Sequence, residues 1–281
     1  MLRTIIAAFL MLAFVPAPAL AISKVFVSAT GSDADDGARQ RPKRGFQSAH
    51  DVVDAGGQIV VLDTAGYGTV EITKSLSIVV PPGVTGFVTA PADAQFAIKV
   101  QAGASDIVTL RGLIVEGTGS TVRGISASGG GTLVVEDTVI RNVQDGISVD
   151  ATAHDMRLVV RGGAIRNTNE GIFLHTSSVN LKLDAVVTDT EITSTAIAFR
   201  ADNAVGASTR LVASRCAVSG ATDSVFLSSG TNAQVVADGC TVSSNAKVFK
   251  SLFTGQVFTR NNNTIFNNAQ TGDAPTSLNP Q

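Results

Sequence analysis

Two columns of β-branched residues recur through this chain at intervals near 25 residues, and that recurrence restricts the fold more than any other feature. One column, aligned on a small residue followed by an aliphatic one, reads Ile98, Ile125, Ile147, Ile172, Ile197, Val225 and Val248, at steps of 22 to 28 residues. The other reads Val115, Ile140, Ile165, Ile192, Val218, Val242 and Ile265, at steps of 23 to 27. Around the anchors apolar and polar residues alternate, as in strands buried on one face. A unit of this length holds two or three short strands and cannot bury its apolar face alone. Winding the chain so that each turn lies about 4.8 Å from the last gives every strand parallel neighbours and closes an apolar interior. Gly117, Asn142, Asn167, Ser194, Gly220, Ser244 and Asn267 follow the second-column anchors by two positions. Asparagine and glycine there tolerate the left-handed backbone that corners need.

Composition agrees with an all-β solenoid: 16% charged residues, 27 Gly, one Tyr and no Trp in 281 residues. The chain opens with Arg3, an apolar run from Ile5 to Val15 and the small-residue stretch "APALA". Such a run reads as a secretion signal over residues 1–21, too short to span a membrane, so the mature protein is expected to be secreted or periplasmic. No second apolar run of membrane length follows. A formal charge of −2, with "RQRPKR" at Arg39 to Arg44 as the one basic cluster, leaves no footprint for nucleic acid.

Residues 22–58 read as a cap: a strand, an Asp/Gly-rich loop, and a helix from Phe46 to Ala55 ended by Gly56-Gly57. Phe46, Ala49, Val52 and Val53 line one helical face, which would cover the open end of the solenoid. Residues 59–270 are the solenoid, and residues 271–281, polar with two prolines, a loose tail.

With this periodicity and the opening module "VFVSATGSDADDG", the sequence resembles the single-stranded right-handed parallel β-helices of the pectate-lyase-like superfamily. The resemblance covers nearly all of the mature chain and supplies the handedness. It also implies that a site would lie on the outer face of the stacked strands.

With the first-column aliphatics inward, Asp150, His175 and Arg200 would stand outward in one vertical column on three coils, beside Phe173 and Phe226. An acid, an imidazole and a guanidinium could hold an acidic sugar or move a proton, with the two phenylalanines as substrate contacts; the alternative is a solvated ladder of complementary charges. Asp145 and Glu170, on neighbouring coils with Arg123 before and Asp223 two coils after, could hold Ca²⁺ weakly. They could equally be a water-screened pair, and no other cofactor is implied. Arg111, Glu136 and Arg161 alternate in sign and would hold rungs in register. Cys216 and Cys240 occupy the same repeat position and should stack inside, as buried thiols or as a disulfide. His50 and His154 have no evident partners.

Enzyme families on this scaffold carry signatures that this sequence lacks. Of the polygalacturonase set only "NTN" at Asn167 and "DD" at Asp35 occur, in the wrong places, and the Arg-x-Pro-x-x-Arg segment of pectate lyases is absent. "GATDSVFL" at Gly220 and "QDGI" at Gln144 echo pectin methylesterase motifs, but 78 residues separate their acids, too far for one substrate carbon. A non-catalytic surface or binding module is therefore the first expectation. The alternative is a polysaccharide-binding or polysaccharide-degrading protein, a lyase or glycoside hydrolase using the outer face of the first sheet. Oligomeric state is left open.

Overall fold

The computed structural model describes residues 22–118 and 121–278. The signal-peptide reading of residues 1–21 lies outside them. Among the described residues the strands pair in parallel into an 11-stranded and a 15-stranded sheet, coiled into a solenoid of about eight turns. The 11-stranded sheet runs from Lys24–Val27 to Thr276–Ser277. Its inner ladder passes through Val25, Ile59, Ile78, Leu110, Val135, Val160 and Val187, each in register with the next and all nearly inaccessible to solvent.

The second aliphatic column forms as its spacing implies. Val115, Ile140, Ile165, Ile192, Val218, Val242 and Ile265 pair rung on rung, and the first six are buried. Six of the seven corner residues adopt a left-handed backbone, with Asn142 at φ 56°, Asn167 at 53° and Ser194 at 54°. Gly117 is the exception. It is needed for space, because a Cβ there would stand 2.9 Å from the Asn142 carbonyl oxygen. A second left-handed corner, three positions before each of the first six anchors, uses Gly112, Asp137, Gly162, Asp189, Arg215 and Gly239. Asp tolerates that conformation because its short side chain bonds locally. The two corners hold the anchor strand as a short third side between the main faces.

The first column departs from expectation halfway along. Ile98, Ile125, Ile147 and Ile172 stack as expected, but the next rungs are Phe199, Phe226 and Phe249, not Ile197, Val225 and Val248. The cause is coil length. Between the register-paired positions, Thr176 to Leu183 takes two more residues, around "SSVNL", than Ala151 to Met156 on the coil before, so both ladders must step by 27 there. Ile165 to Ile192 does so; Ile172 to Ile197, at 25, does not. Ile197 consequently faces outward over Glu170, half-buried. Phe226 lies inside with no exposed surface, against Phe199 at 5.5 Å and Phe249 at 5.7 Å between ring centroids. The expected outward Phe226 is thus corrected to a core residue.

At the amino end, the helix spans Phe46–Val52 and buries Phe46, Ala49 and His50, with Val53 just beyond it also buried and Val52 partly so. His50 is not without partners: its Nε2 accepts from the Thr73 backbone N–H at 3.2 Å. The basic run is built into the cap loop, with Lys43 donating to the Asp33 carbonyl and Arg44 to the Gly66 carbonyl. At the carboxyl end the segment expected to be loose contributes strands Gln270–Gly272 and Thr276–Ser277 to the two sheets. Cys216 and Cys240 lie on adjacent rungs as two free, buried thiols. Their Sγ atoms face backbone carbonyls, and the Cys216 thiol is pushed up by its neighbour and by burial. Arg161 donates to Glu136 at 3.1 Å, as the alternating signs imply, while Arg111 lies nearer Asp137.

Candidate functional site

The outer face of the 15-stranded sheet is set by the first column, because each inward residue fixes its neighbours as outward. Three outward columns result. The middle one carries Lys99, Ser126, Ser148, Phe173, Arg200 and Leu227 on successive coils. Three positions earlier along the strands come Asp145, Glu170 and Ile197, and two positions later come Asp150, His175 and Asp202. Close stacking of these strands depends on glycine: a Cβ on Gly146 would lie 2.5 Å from the Gly171 carbonyl oxygen of the next coil.

Asp150 and His175 are therefore neighbours, as expected, but the third member of their column is Asp202. Arg200 stands one column away, on Phe173, for the reason that moved Ile197 outward. Its guanidinium lies 4.6 Å above the Phe173 ring and bridges two carboxylates, Glu170 Oε1 at 2.6 Å and Asp202 Oδ2 at 3.0 Å. The Phe173 ring also faces the His175 imidazole at 6.1 Å. His175 Nδ1 is buried, 3.9 Å from Asp202 Oδ2 and without a hydrogen-bond partner among the described residues. Asp150 accepts from the Ser177 hydroxyl at 2.9 Å.

Asp145 and Glu170 are buried side by side, 4% and 6% exposed. Burial pushes both carboxyls above the ordinary carboxylate range, opposed by Arg123 beside Asp145 and by Arg200 beside Glu170. Arg123 donates to Asp145 at 3.2 Å. Each acid thus faces a guanidinium where a calcium ligand would face the ion, and no group of three or more metal-ligating side chains occurs among the described residues. Asp223 is held by Lys250, which donates to both carboxylate oxygens at 2.8 Å.

Alongside the cluster lies a cleft of about 270 Å³ on the outside of the coils. Lys99 and Arg123 occupy one end and Asp150 and His175 the other; Ser126 and Ser148 form its floor, and Phe96 and Phe173 its apolar walls. Lys99 is placed by Glu71 at 3.1 Å and by the Phe96 ring at 5.2 Å. Phe96, Lys99 and Asp202 were not singled out from the sequence. The signal existed for two of them: Lys99 adjoins the stacked Ile98, and Asp202 lies two positions beyond a neighbour of Phe199 once the 27-residue step is applied, whereas Phe96 lies out of phase with the column.

What this face can do follows from its groups. Cations held by one carboxylate each can share a second, incoming carboxylate. The serines and Asp150 can bond hydroxyls, and the phenyl walls can cover an apolar ring face.

No family model matches the chain, and no curated protein matches it in sequence. Among solved structures it is similar to an alginate lyase from Paenibacillus sp. str. FPU-7, at 11% identity over 83% of this chain and 94% of that one, with a TM-score of 0.52. It is also similar to a rhamnogalacturonan lyase, at 12% identity over 84% and 75% with a TM-score of 0.49. A third is the GH136 lacto-N-biosidase from Eubacterium ramulus, at 9% identity over 92% and 68% with a TM-score of 0.43. At these identities the likeness concerns the path of the backbone. The chain has a parallel β-helix fold.

Proposed function

We propose that this protein binds an acidic polysaccharide along the outer face of its 15-stranded sheet, and that it binds without cleaving. One observation carries the reading: the cleft places Lys99 and Arg123 at one end of a hydroxyl-bearing floor between two phenyl walls. Such a cradle suits a sugar ring bearing a carboxylate. The fold supports the ligand class only by analogy, since one scaffold hosts many activities. Binding is favoured over cleavage because the charged groups are already neutralised in pairs: Arg123 with Asp145, Lys99 with Glu71, and Arg200 with Glu170 and Asp202. Calcium would enter this face only by displacing Arg123 and Arg200. The signal-like start of the chain belongs to the same reading, which puts the protein outside the cytoplasm.

The test is calorimetric titration with alginate and polygalacturonate oligomers, against neutral dextran, with and without Ca²⁺. Acidic oligomers should bind and dextran should not. Lys99→Ala and Arg123→Ala should each weaken binding by about tenfold, the loss of one charge-assisted contact. Equal affinity for dextran, or no binding to either acidic chain, would refute the proposal.

A second reading is favoured by His175, whose buried Nδ1 has no hydrogen-bond partner among the described residues yet lies near Asp202. An imidazole so placed could accept a proton from a carbon next to a sugar carboxylate, as a lyase requires. Its product would be an unsaturated sugar absorbing in the ultraviolet, abolished by His175→Ala. No absorbance change on prolonged incubation with both acidic polymers would leave binding alone.

A further inference from the structure

On the opposite side of the solenoid, the outer face of the 11-stranded sheet carries a stripe of apolar residues on six consecutive rungs: Val134, Val159, Val186, Val212, Val236 and Phe258. A one-faced strand should place polar residues outward. Here the middle outward position is apolar on every rung, and polar residues stand only on its two flanks. Val159 and Val236 are 9% exposed between those flanks, and the other four are more open. Near its carboxyl end the stripe widens into a cleft of about 320 Å³ lined by Val212, Val236, Phe258 and Leu278.

We propose that this stripe is the interface of a homodimer in which two copies pack face to face with their solenoid axes antiparallel. The occupant is identified by charge. Place a two-fold axis across the stripe between the rungs of Val186 and Val212, and Val186 meets the partner's Val212 while Val159 meets the partner's Val236. On one flank Asp184 then faces the partner's Arg210. On the other flank Arg161 faces the partner's Asp238 and Glu136 faces the partner's Arg260. The remaining flank positions in this arrangement bring Arg157 to the partner's Gln234, Thr132 to the partner's Gln256 and Thr188 to the partner's Ser214, so no like charges meet. The parallel arrangement of the same faces sets Arg157 against the partner's Arg161, which opposes it. An isologous contact must be self-complementary in this way, and the charge order along both flanks is so only for the antiparallel axis. Six rungs of about 4.8 Å by three columns of about 6.6 Å give a footprint of roughly 570 Å² per copy, near the lower edge of stable interfaces. The dimer is therefore a reversible one, and it leaves the cleft of the other sheet open.

Sedimentation velocity on the full chain, from about 1 to 200 μM at low and high salt, reads the association directly. A dimer that grows with concentration and weakens with salt is expected. Asp184→Arg and Arg210→Asp should each weaken dimerisation by at least about tenfold, since each two-fold contact occurs twice, and combining them should restore it. The combined variant also preserves the in-chain neighbour pair, and circular dichroism reports whether each single variant is folded. Val212→Glu, which buries a charge at the two-fold, should abolish the dimer without depending on the charge exchange. The proposal is overturned if the chain stays monomeric throughout, if Val212→Glu dimerises like the parent chain, or if the combined variant remains as weak as the singles.

Discussion

Replacing Phe226 with alanine separates a core residue from a ligand contact. The ring has no exposed surface and is held between Phe199 and Phe249, at 5.5 and 5.7 Å with interplanar angles of 5° and 21°. Truncating a buried phenylalanine costs about 3–5 kcal/mol, the transfer loss plus the cavity left behind. The upper part of that range is expected here, because two aromatic contacts, each about 0.5–1.5 kcal/mol beyond area, vanish together. Neighbouring coils cannot collapse into the gap, since their rungs are fixed by the backbone ladder on both sides. A solenoid of stacked coils can unfold in stages, so urea titration should be followed by circular dichroism and by hydrogen exchange of strands Ser224–Ser229 and Lys247–Leu252. Phe226→Ala should lower the midpoint strongly and open exchange first in those strands. Phe173→Ala, on the outer face, should change stability by less than about 1 kcal/mol and instead weaken glycan binding. A Phe226→Ala protein as stable as the parent but deficient in binding would refute the core assignment and the 27-residue step behind it.

Burial holds the Asp145 and Glu170 carboxyls above their ordinary values of 3.8 and 4.5. The folded state thus binds these protons more tightly than the unfolded chain, and stability falls as pH rises from the ordinary values through the raised ones. An Asp145→Asn, Glu170→Gln protein should lack this component: its Tm relative to the parent should rise between about pH 4.5 and pH 7. A pH-independent difference would contradict it. Asn167, at φ 53°, should lose about 1 kcal/mol as alanine but far less as glycine, measured by urea midpoints.

The periodic aliphatics made the architecture readable because a solenoid converts sequence interval directly into spatial adjacency. The Val115 to Ile265 ladder needed nothing else. Where the reading slipped, at Ile197, a preference for aliphatic residues outweighed the interval: Ile165 to Ile192 already announced 27 residues, and the same step from Ile172 lands on Phe199. Arg200 and Phe226 moved with it, while Asp150 and His175, one coil earlier, kept their adjacency. The ion pairs that link Arg200 to Glu170 and Asp202 were not legible, because reach across columns depends on side-chain direction rather than on register. The valine stripe was hidden for a different reason. Within one strand an outward valine is unremarkable, and it becomes a surface only when six rungs align.

The longer connection between Thr176 and Lys182 begins two residues after His175, which lines the cleft. Extra residues there lengthen a coil while both ladders stay paired rung on rung through the coils that follow, so the added length is absorbed in the connection rather than in the sheets. A lineage of such chains can therefore remodel the border of its ligand groove by insertion or deletion, one winding at a time, while the rest of the stack keeps its alignment.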